Sequence, residues 1–325
     1  MDMFLIEDEP APEEVQEEAN KSLAERFIIP PFSVLDGRQG YWRDRRKVWV
    51  SLGIKSELGR SGDSYKNVTL KEDLMKGKEV AGTSIFDPVL CEIIYTWFSK
   101  RGAVILDPFA GGSVRGIVAG RLGREYHGID IREEQVIANR AQVPNIPELR
   151  VIPKWYAGDS REMGSILPES LKADLIFSCP PYADLEIYSD NPKDLSNMDY
   201  PMFLAAYQDI IKQSVKRLKE DSFACFVVGD IRDKKGFFRN FVSDTIGAFL
   251  NAGMNYYNEA VLLTPNGSLA QRIGTSFGDY RKLGKAHQNV LVFFKGNPKK
   301  IPERLGEIQL EEYINAIEKE QSKDI

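Results

Sequence analysis

Residues 103–115 read AVILDPFAGGSVR, and the order of residue types in this stretch decides the fold. Ala103 to Leu106 form a short apolar run closed by Asp107-Pro108, the pattern of a strand buried on both faces. Gly111-Gly112 then allows a tight turn and a close approach of backbone to a ligand. Ser113 stands at the N-cap position of a helix whose Val114, Ile117, Val118 and Leu122 recur at helical spacing. Strand, glycine turn and helix in this order are how an open α/β sheet builds a crevice at its strand ends. A second strand, Glu125–Ile129, ends in Asp130, 23 residues after Asp107, where a carboxylate suits the two hydroxyls of a ribose. The loop contains neither G-x-G-x-x-G nor G-x-x-x-x-G-K-[ST], which disfavours a dinucleotide and a nucleoside triphosphate.

Outward from this stretch the alternation is regular. A helix capped by Ser84 or Asp87, with Val89, Leu90, Ile93, Ile94, Trp97 and Phe98 on its apolar face, leads into strand 103–107. Helix 113–122, strand 125–130, helix 132–140 and strand 149–157 follow, the last ending in Gly158-Asp159. Then come a short helix near 160–167, strand 174–178, helix 200–219, strand 223–229, helix 238–251 and strands near 256–264 and 289–294. Repeated βα units imply a mostly parallel sheet of about seven strands with helices on both faces. The final two strands, joined by a loop, read as an antiparallel edge pair.

The domain plan is an acidic, mobile start over 1–25, an aromatic and basic extension over 26–80, a catalytic domain over 81–298 and a terminal helix over 299–325. In the extension, Phe32, Tyr41, Trp42 and Trp49 interleave with Arg38, Arg43, Arg45, Arg46 and Lys47. Flat rings beside cations suit a nucleic-acid surface, whereas a packed cover with solvated arginines explains the same composition. Charge distribution agrees with either. The net charge is −5, yet residues 1–20 hold eight acids and no base, and residues 302–325 hold seven acids against three bases, leaving about +7 on residues 21–301. Such a body is compatible with DNA or RNA. The three cysteines form no C-x-x-C pair, which fits a reducing cytoplasm. Two scattered histidines make a zinc site unexpected. No apolar run is long enough for a membrane span, and the N-terminus does not read as a secretory signal.

The sharpest local signal is DLIFSCPPY, residues 174–182. A buried strand ends in Ser178-Cys179, and Pro180-Pro181 fix a rigid extended turn before Tyr182. Prolines remove backbone donors, so the carbonyls of Cys179 and Pro180 are expected to face the crevice as acceptors. A tyrosine ring beside such acceptors can stack a base while they hold its amino group.

DPFAGGS at 107–113 is similar to the cofactor loop of class I S-adenosylmethionine-dependent methyltransferases. SCPPY at 178–182 resembles the Asp/Asn/Ser-Pro-Pro-Tyr/Phe motif of the amino-methyltransferases that act on adenine N6 or cytosine N4, and the chain looks most like phage- or prophage-borne DNA members. The resemblance covers roughly residues 80–296. It implies a class I (Rossmann-like) fold, a cytoplasmic site of action and a DNA substrate with its base flipped. By the same resemblance Asp107, Phe109, Gly111 and Gly112 cradle the methionine part of S-adenosylmethionine, Asp130 binds the ribose, and Asp159 with Ser160 contacts the adenine. Thr83, Ser84 and Phe86 resemble a further cofactor-contacting segment. Ser178, Cys179, Pro180, Pro181 and Tyr182 form the base-receiving motif.

The family's first motif position carries Asp, Asn or Ser, and this chain has Cys179, a weak acceptor. The amino group is therefore left to Ser178, a backbone carbonyl or a shifted register, and Ser178 alone inclines the expectation towards cytosine N4. Attack by Cys179 on cytosine C6 is the alternative chemistry, although carbon-5 enzymes place their cysteine after a proline. An RNA methyltransferase of the same build, or a DNA-binding protein that kept the fold without catalysis, stays open. Arg232, Lys234 and Lys235, beside Phe237 and Phe238, are candidates for phosphate contact. Residues 183–200 read as a lid or recognition insert, and 266–287, with Arg272, Arg281, Lys282 and Lys285, as a recognition loop. His127 and Cys225 read as packing.

Overall fold

The computed structural model describes residues 27–55, 86–183, 188–265 and 269–306. Its core is one eight-stranded sheet. The strands are β1 (Val34–Asp36), β2 (Val104–Asp107), β3 (Glu125–Asp130), β4 (Lys154–Ala157), β5 (Ala173–Ser178), β6 (Leu218–Val228), β7 (Asn255–Leu263) and β8 (His287–Lys295). They lie in the order β1-β7-β8-β6-β5-β2-β3-β4. Every pairing is parallel except those of β8, which runs antiparallel to both β6 and β7. This is the doubly wound class I methyltransferase sheet, mostly parallel with one reversed strand near its end, and a short strand added outside it.

The central strands β2 and β5 and the second half of β6 are mainly apolar because both faces are covered. Alternate residues separate cleanly. Ile105, Leu175, Phe177, Phe223 and Cys225 join the core under helices α1 (Gly40–Ser51), α2 (Pro88–Phe98) and α3 (Val114–Arg121). Leu106, Ile176, Ala224 and Phe226 join the core on the other face, with Phe203 and Tyr207 of α6 (Tyr200–Arg217) and Phe241 and Phe249 of α7 (Phe241–Asn251). Helix starts follow local chemistry. The Asp87 carboxylate accepts the Val89 N–H at 2.8 Å and Pro88 opens α2, while Asp199 accepts the Met202 N–H at 2.9 Å at the start of α6, both ordinary N-terminal devices.

Several expectations need correction. The sheet has eight strands rather than seven, because Val34–Asp36 of the extension pairs parallel with β7. The strand satisfies an edge that would otherwise present unpaired backbone. The antiparallel pair is consequently not at the edge: β8 lies inside, between β6 and β7. Strand 149–157 shortens to Lys154–Ala157, since Pro153 cannot donate to a ladder. The expected loop at 266–287 contains helix α8 (Leu269–Tyr280). The terminal helix expected over 299–325 is described only as α9 (Ile301–Leu305); residues 307–325, residues 1–26 and the boundary near 80 lie outside the described residues.

The extension is partly the packed cover. Trp42 and Trp49 are buried; the Trp42 indole donates to Asp87 at 3.0 Å and the Trp49 indole to Glu92 at 2.8 Å. Arg45 forms a two-pronged pair with Glu92, at 2.6 and 2.5 Å. Phe32 and Tyr41 are exposed.

A candidate cofactor and base crevice

The strand order reverses between β2 and β5, and at such a switch point the loops leaving the two strands diverge and open a crevice. Here that crevice is a cavity of about 510 Å³, within the usual range for small-molecule sites. Its wall takes in Phe86, Phe109, Gly111, Gly112, Asp130, Asp159, Ser160, Cys179, Pro180, Pro181 and Tyr182. Residues from the ends of four different strands therefore meet in one place, although 96 positions separate Phe86 from Tyr182. Thr83 and Ser84 lie outside the described residues.

Two predicted residues are not part of that wall. Asp107 is fully buried and receives four donors. The Arg115 guanidinium (2.6 Å) and the Tyr126 hydroxyl (2.7 Å) reach one oxygen; the Ser178 hydroxyl (2.5 Å) and the Phe109 N–H (3.1 Å) reach the other. Asp107 thus fixes the loop from below. Ser178 is also fully buried, with its hydroxyl committed to Asp107. The inclination towards cytosine N4 rested on Ser178 alone, and this geometry removes that support: a hydroxyl turned into the core does not meet a base in the crevice.

The glycine loop is held from several sides. Gly111 adopts φ +52°, a left-handed conformation natural to glycine. Its N–H donates to Asp130 at 2.8 Å, and its carbonyl accepts from Asn139 at 2.7 Å. Asn139 accepts in turn from Gln135, which accepts from Arg132. This buried polar chain runs along α4 (Glu133–Gln142). Arg115 donates to the carbonyls of Phe109 (2.6 Å) and Ala110 (3.0 Å) and lies 4.6 Å over the Phe86 ring. Burial is the largest single influence and opposes its charge, but the Asp107 carboxylate together with Tyr126 and Cys179 outweighs it and raises the pKa. Burial likewise pushes the Tyr126 hydroxyl well up, with Asp107 adding to it. Gly128 of β3 makes room for this packing. A methyl group there would meet the Tyr126 ring and hydroxyl at 2.6 Å and Ala110 at 2.8 Å.

Asp130 accepts from the Gly111 and Arg132 backbone N–H groups, and burial raises its carboxyl above the usual aspartate range. A carboxylate offers about four acceptor positions, so capacity remains for hydroxyl donors in the cavity. Asp159 caps the turn that follows β4 and leads into α5 (Met163–Ile166), accepting the Arg161 N–H at 2.9 Å and pairing with the Arg161 guanidinium. Ser160 donates to the Pro108 carbonyl at 2.6 Å and ties the β2 and β4 loops together.

On the other side, Cys179 is half-buried. Tyr182 stands edge-on to Phe241, ring centres 6.0 Å apart, and its hydroxyl accepts from Gln288 at 2.8 Å. The insert at 183–200 supplies Tyr188, Asp194 and Leu195 to the wall, Gly37 comes from just after β1, and Arg46 from α1. His127 bridges Tyr156 and Glu125 at 3.0 Å each and Cys225 is buried, both as packing. Arg115, Tyr126, the Gln135–Asn139 chain and Gln288 were not marked in the sequence. Arg115 is the second residue of the helix after the glycines, but nothing local distinguishes a buried arginine from a solvated one. Among the described residues there is no group of three or more potential metal ligands and no helix long and apolar enough to cross a membrane.

No family model and no curated protein sequence matches the chain. Solved structures similar in fold include TrmN from Thermus thermophilus, at 15% identity over 66% of this chain and 51% of that one, TM-score 0.44. This chain thus spans about half of that relative's length. Magnesium protoporphyrin IX methyltransferase from Synechocystis PCC 6803, solved with bound S-adenosylmethionine, is similar at 11% identity over 64% and 79% of the two chains, TM-score 0.41. A candidate DNA modification methylase, also from Thermus thermophilus, is similar at 17% identity over 43% and 51%, TM-score 0.31. At these levels the likeness concerns the sheet, and no function is read from it.

Proposed function

We propose that this protein transfers a methyl group from S-adenosylmethionine to an exocyclic amino nitrogen of a DNA base, cytosine N4 or adenine N6. The observation that carries this reading is the meeting of the glycine loop, Asp130 and Asp159 with Cys179-Pro180-Pro181-Tyr182 in one cavity. The residues present fit the cofactor. Asp130 is a largely buried carboxylate on the wall with acceptor capacity to spare, and Gly111-Gly112 leave the wall without side chains where a ligand approaches. Asp130 would hold the ribose, Asp159 and Ser160 would lie along the adenine, and Phe109 with the glycine loop would hold the methionine part. Bound there, S-adenosylmethionine supplies an electrophilic sulfonium methyl group.

The chain's own contribution is mainly orientation. The Tyr182 ring offers a stacking face for an extruded base, held by Phe241 and Gln288. Pro180 and Pro181 donate no N–H, so the turn presents acceptors rather than competing donors to an amino group. Acceptors drawing on the amino hydrogens weaken conjugation of the nitrogen with its ring and localise its lone pair. Alignment within about 3–3.5 Å then supplies much of the acceleration, and the displaced proton passes to solvent. No general base is required.

The test is incorporation of labelled methyl groups from S-adenosylmethionine into matched duplex DNA and structured RNA, with cofactor binding followed by calorimetry. Label in DNA supports the proposal. Cofactor binding with label only in RNA would move the substrate to RNA, and DNA binding without cofactor binding would favour a non-catalytic protein.

A further inference from the structure

β6 leads through Gly229-Asp230 into a tight hairpin at residues 231–239. Arg232 bridges Phe238 in antiparallel fashion, the Asp233 N–H donates to the Phe237 carbonyl at 2.8 Å, and the Gly236 N–H donates to Asp233 at 2.9 Å. The Asp233 carboxylate is taken up within the turn by the Phe237 N–H at 2.9 Å. The tip holds Phe237 and Phe238 out to solvent, 70% and 48% exposed. Beside it, α8 and the segment after it present Phe277, Tyr280 and Leu283, 44%, 68% and 76% exposed. The two segments touch, with the Lys282 ammonium against Gly236. Lys285 lies 3.2 Å from the position a methyl group would take on Gly229, which also faces the Tyr182 hydroxyl at 3.9 Å. A continuous rim therefore runs from the base-receiving tyrosine outward.

Its chemistry is uniform. Residues 230–239 and 277–285 carry seven basic side chains against three acidic ones. The cations lie over the rings: Arg232 at 4.0 Å from the Phe238 centre, Lys282 at 4.9 Å from Tyr280 and Arg281 at 5.3 Å from Phe277. Large exposed rings are unfavourable unless something covers them. Flat faces interleaved with cations match a strand of stacked bases on a phosphate backbone. An acidic peptide would use the cations and leave the rings uncovered.

We propose that this rim is the track for the unpaired nucleic-acid strand flanking the target nucleotide. The inference rests on the reading that the crevice receives a nucleic-acid base, and it adds which face of the protein holds the rest of that strand.

The test measures binding of a fluorescein-labelled 16-nucleotide single strand to the full-length protein by anisotropy across a salt series, for wild type, F237A/F238A and K234A/K235A. Loss of base stacking predicts about 5- to 150-fold weaker binding for the aromatic variant. Loss of phosphate contacts predicts weaker binding with a shallower salt slope, by about 0.7 per contact, for the lysine variant. Both variants alter exposed residues, so melting temperature and S-adenosylmethionine affinity should stay at wild-type values. Variants that bind the strand as wild type does, while methyl transfer proceeds, would overturn the rim and leave the crevice reading intact. A wild-type protein that methylates duplex DNA but binds no single strand would overturn the rim alone. One that binds S-adenosylmethionine but neither the single strand nor matched duplex DNA would overturn the rim together with the DNA substrate. Displacement by polyglutamate with no response to F237A/F238A would overturn it in favour of an acidic protein partner.

Discussion

Replacing Ser178 by Ala separates a positioning role from a chemical one. The Ser178 hydroxyl donates to Asp107 at 2.5 Å, and neither residue is reached by solvent. The substitution takes one of four donors from a buried carboxylate and leaves a gap too small for a compensating water. A hydrogen bond to a charged group contributes about 1.5–3 kcal/mol, so the unfolding free energy should fall by roughly 2 kcal/mol. At about 2–4 °C per kcal/mol for a domain of this class, the melting temperature should drop by several degrees. Turnover should fall far less. Arg115, Tyr126 and the Phe109 N–H still hold Asp107, and a positional loss of about 1.4 kcal/mol is only tenfold in rate. Were Ser178 the acceptor for the target amino group, its removal would resemble loss of a transition-state donor, about 100- to 1000-fold in turnover, with stability hardly changed. Thermal melting and steady-state methyl transfer well below the transition decide between them. An unchanged melting temperature with turnover reduced more than about 100-fold would refute the positioning role.

Three further outcomes follow from the same geometry. Burial raises the Asp130 carboxyl, so its ionised form, which accepts the Gly111 N–H and would accept the ribose hydroxyls, is lost at a higher pH than for an ordinary aspartate. Cofactor affinity should therefore fall as pH drops through that raised value, and Asp130→Asn should be weak at all pH, as calorimetry across pH would record. By linkage, the stability contribution of this carboxyl is present below the ordinary aspartate range and lost as pH rises through the raised value. Tyr182→Phe removes the 2.8 Å bond from Gln288 and should change substrate KM by less than about tenfold, whereas Tyr182→Ala should weaken substrate binding about 5- to 150-fold, measured by steady-state kinetics. Cys179→Ser should keep substantial activity and the wild type should form no covalent adduct with DNA, as mass spectrometry of the intact protein would show; abolished activity with a trapped wild-type adduct would point to carbon-5 chemistry.

What could be read in the sequence was what depends on local pattern. Apolar runs ending in Asp107 and Ser178 announced buried parallel strands, because burial on both faces leaves no polar alternation to confuse, and the strands ending near Asp130 and Asp159 followed from the regular βα alternation. Turn chemistry at Gly111-Gly112 and Pro180-Pro181 marked the loops that meet. Long-range pairing was not legible. The three-residue β1 carries too little periodicity to register, and its place beside β7 depends on an edge more than two hundred positions away. The burial of Trp42 and Trp49 follows from partners at Asp87 and Glu92, which composition cannot supply. Ser178 misled for a related reason. A strand's side chains alternate between faces, but which atom the last one meets is set by Asp107 on the neighbouring strand.

The central claim is amino-methyl transfer to a DNA base, and the most direct measurement is the identity of the product nucleoside. Unmethylated DNA incubated with the purified protein and S-adenosylmethionine is digested and its nucleosides compared with standards by mass spectrometry. The account predicts N4-methylcytosine or N6-methyladenine. Only 5-methylcytosine, or no methylated nucleoside from any DNA although the cofactor binds, would contradict it.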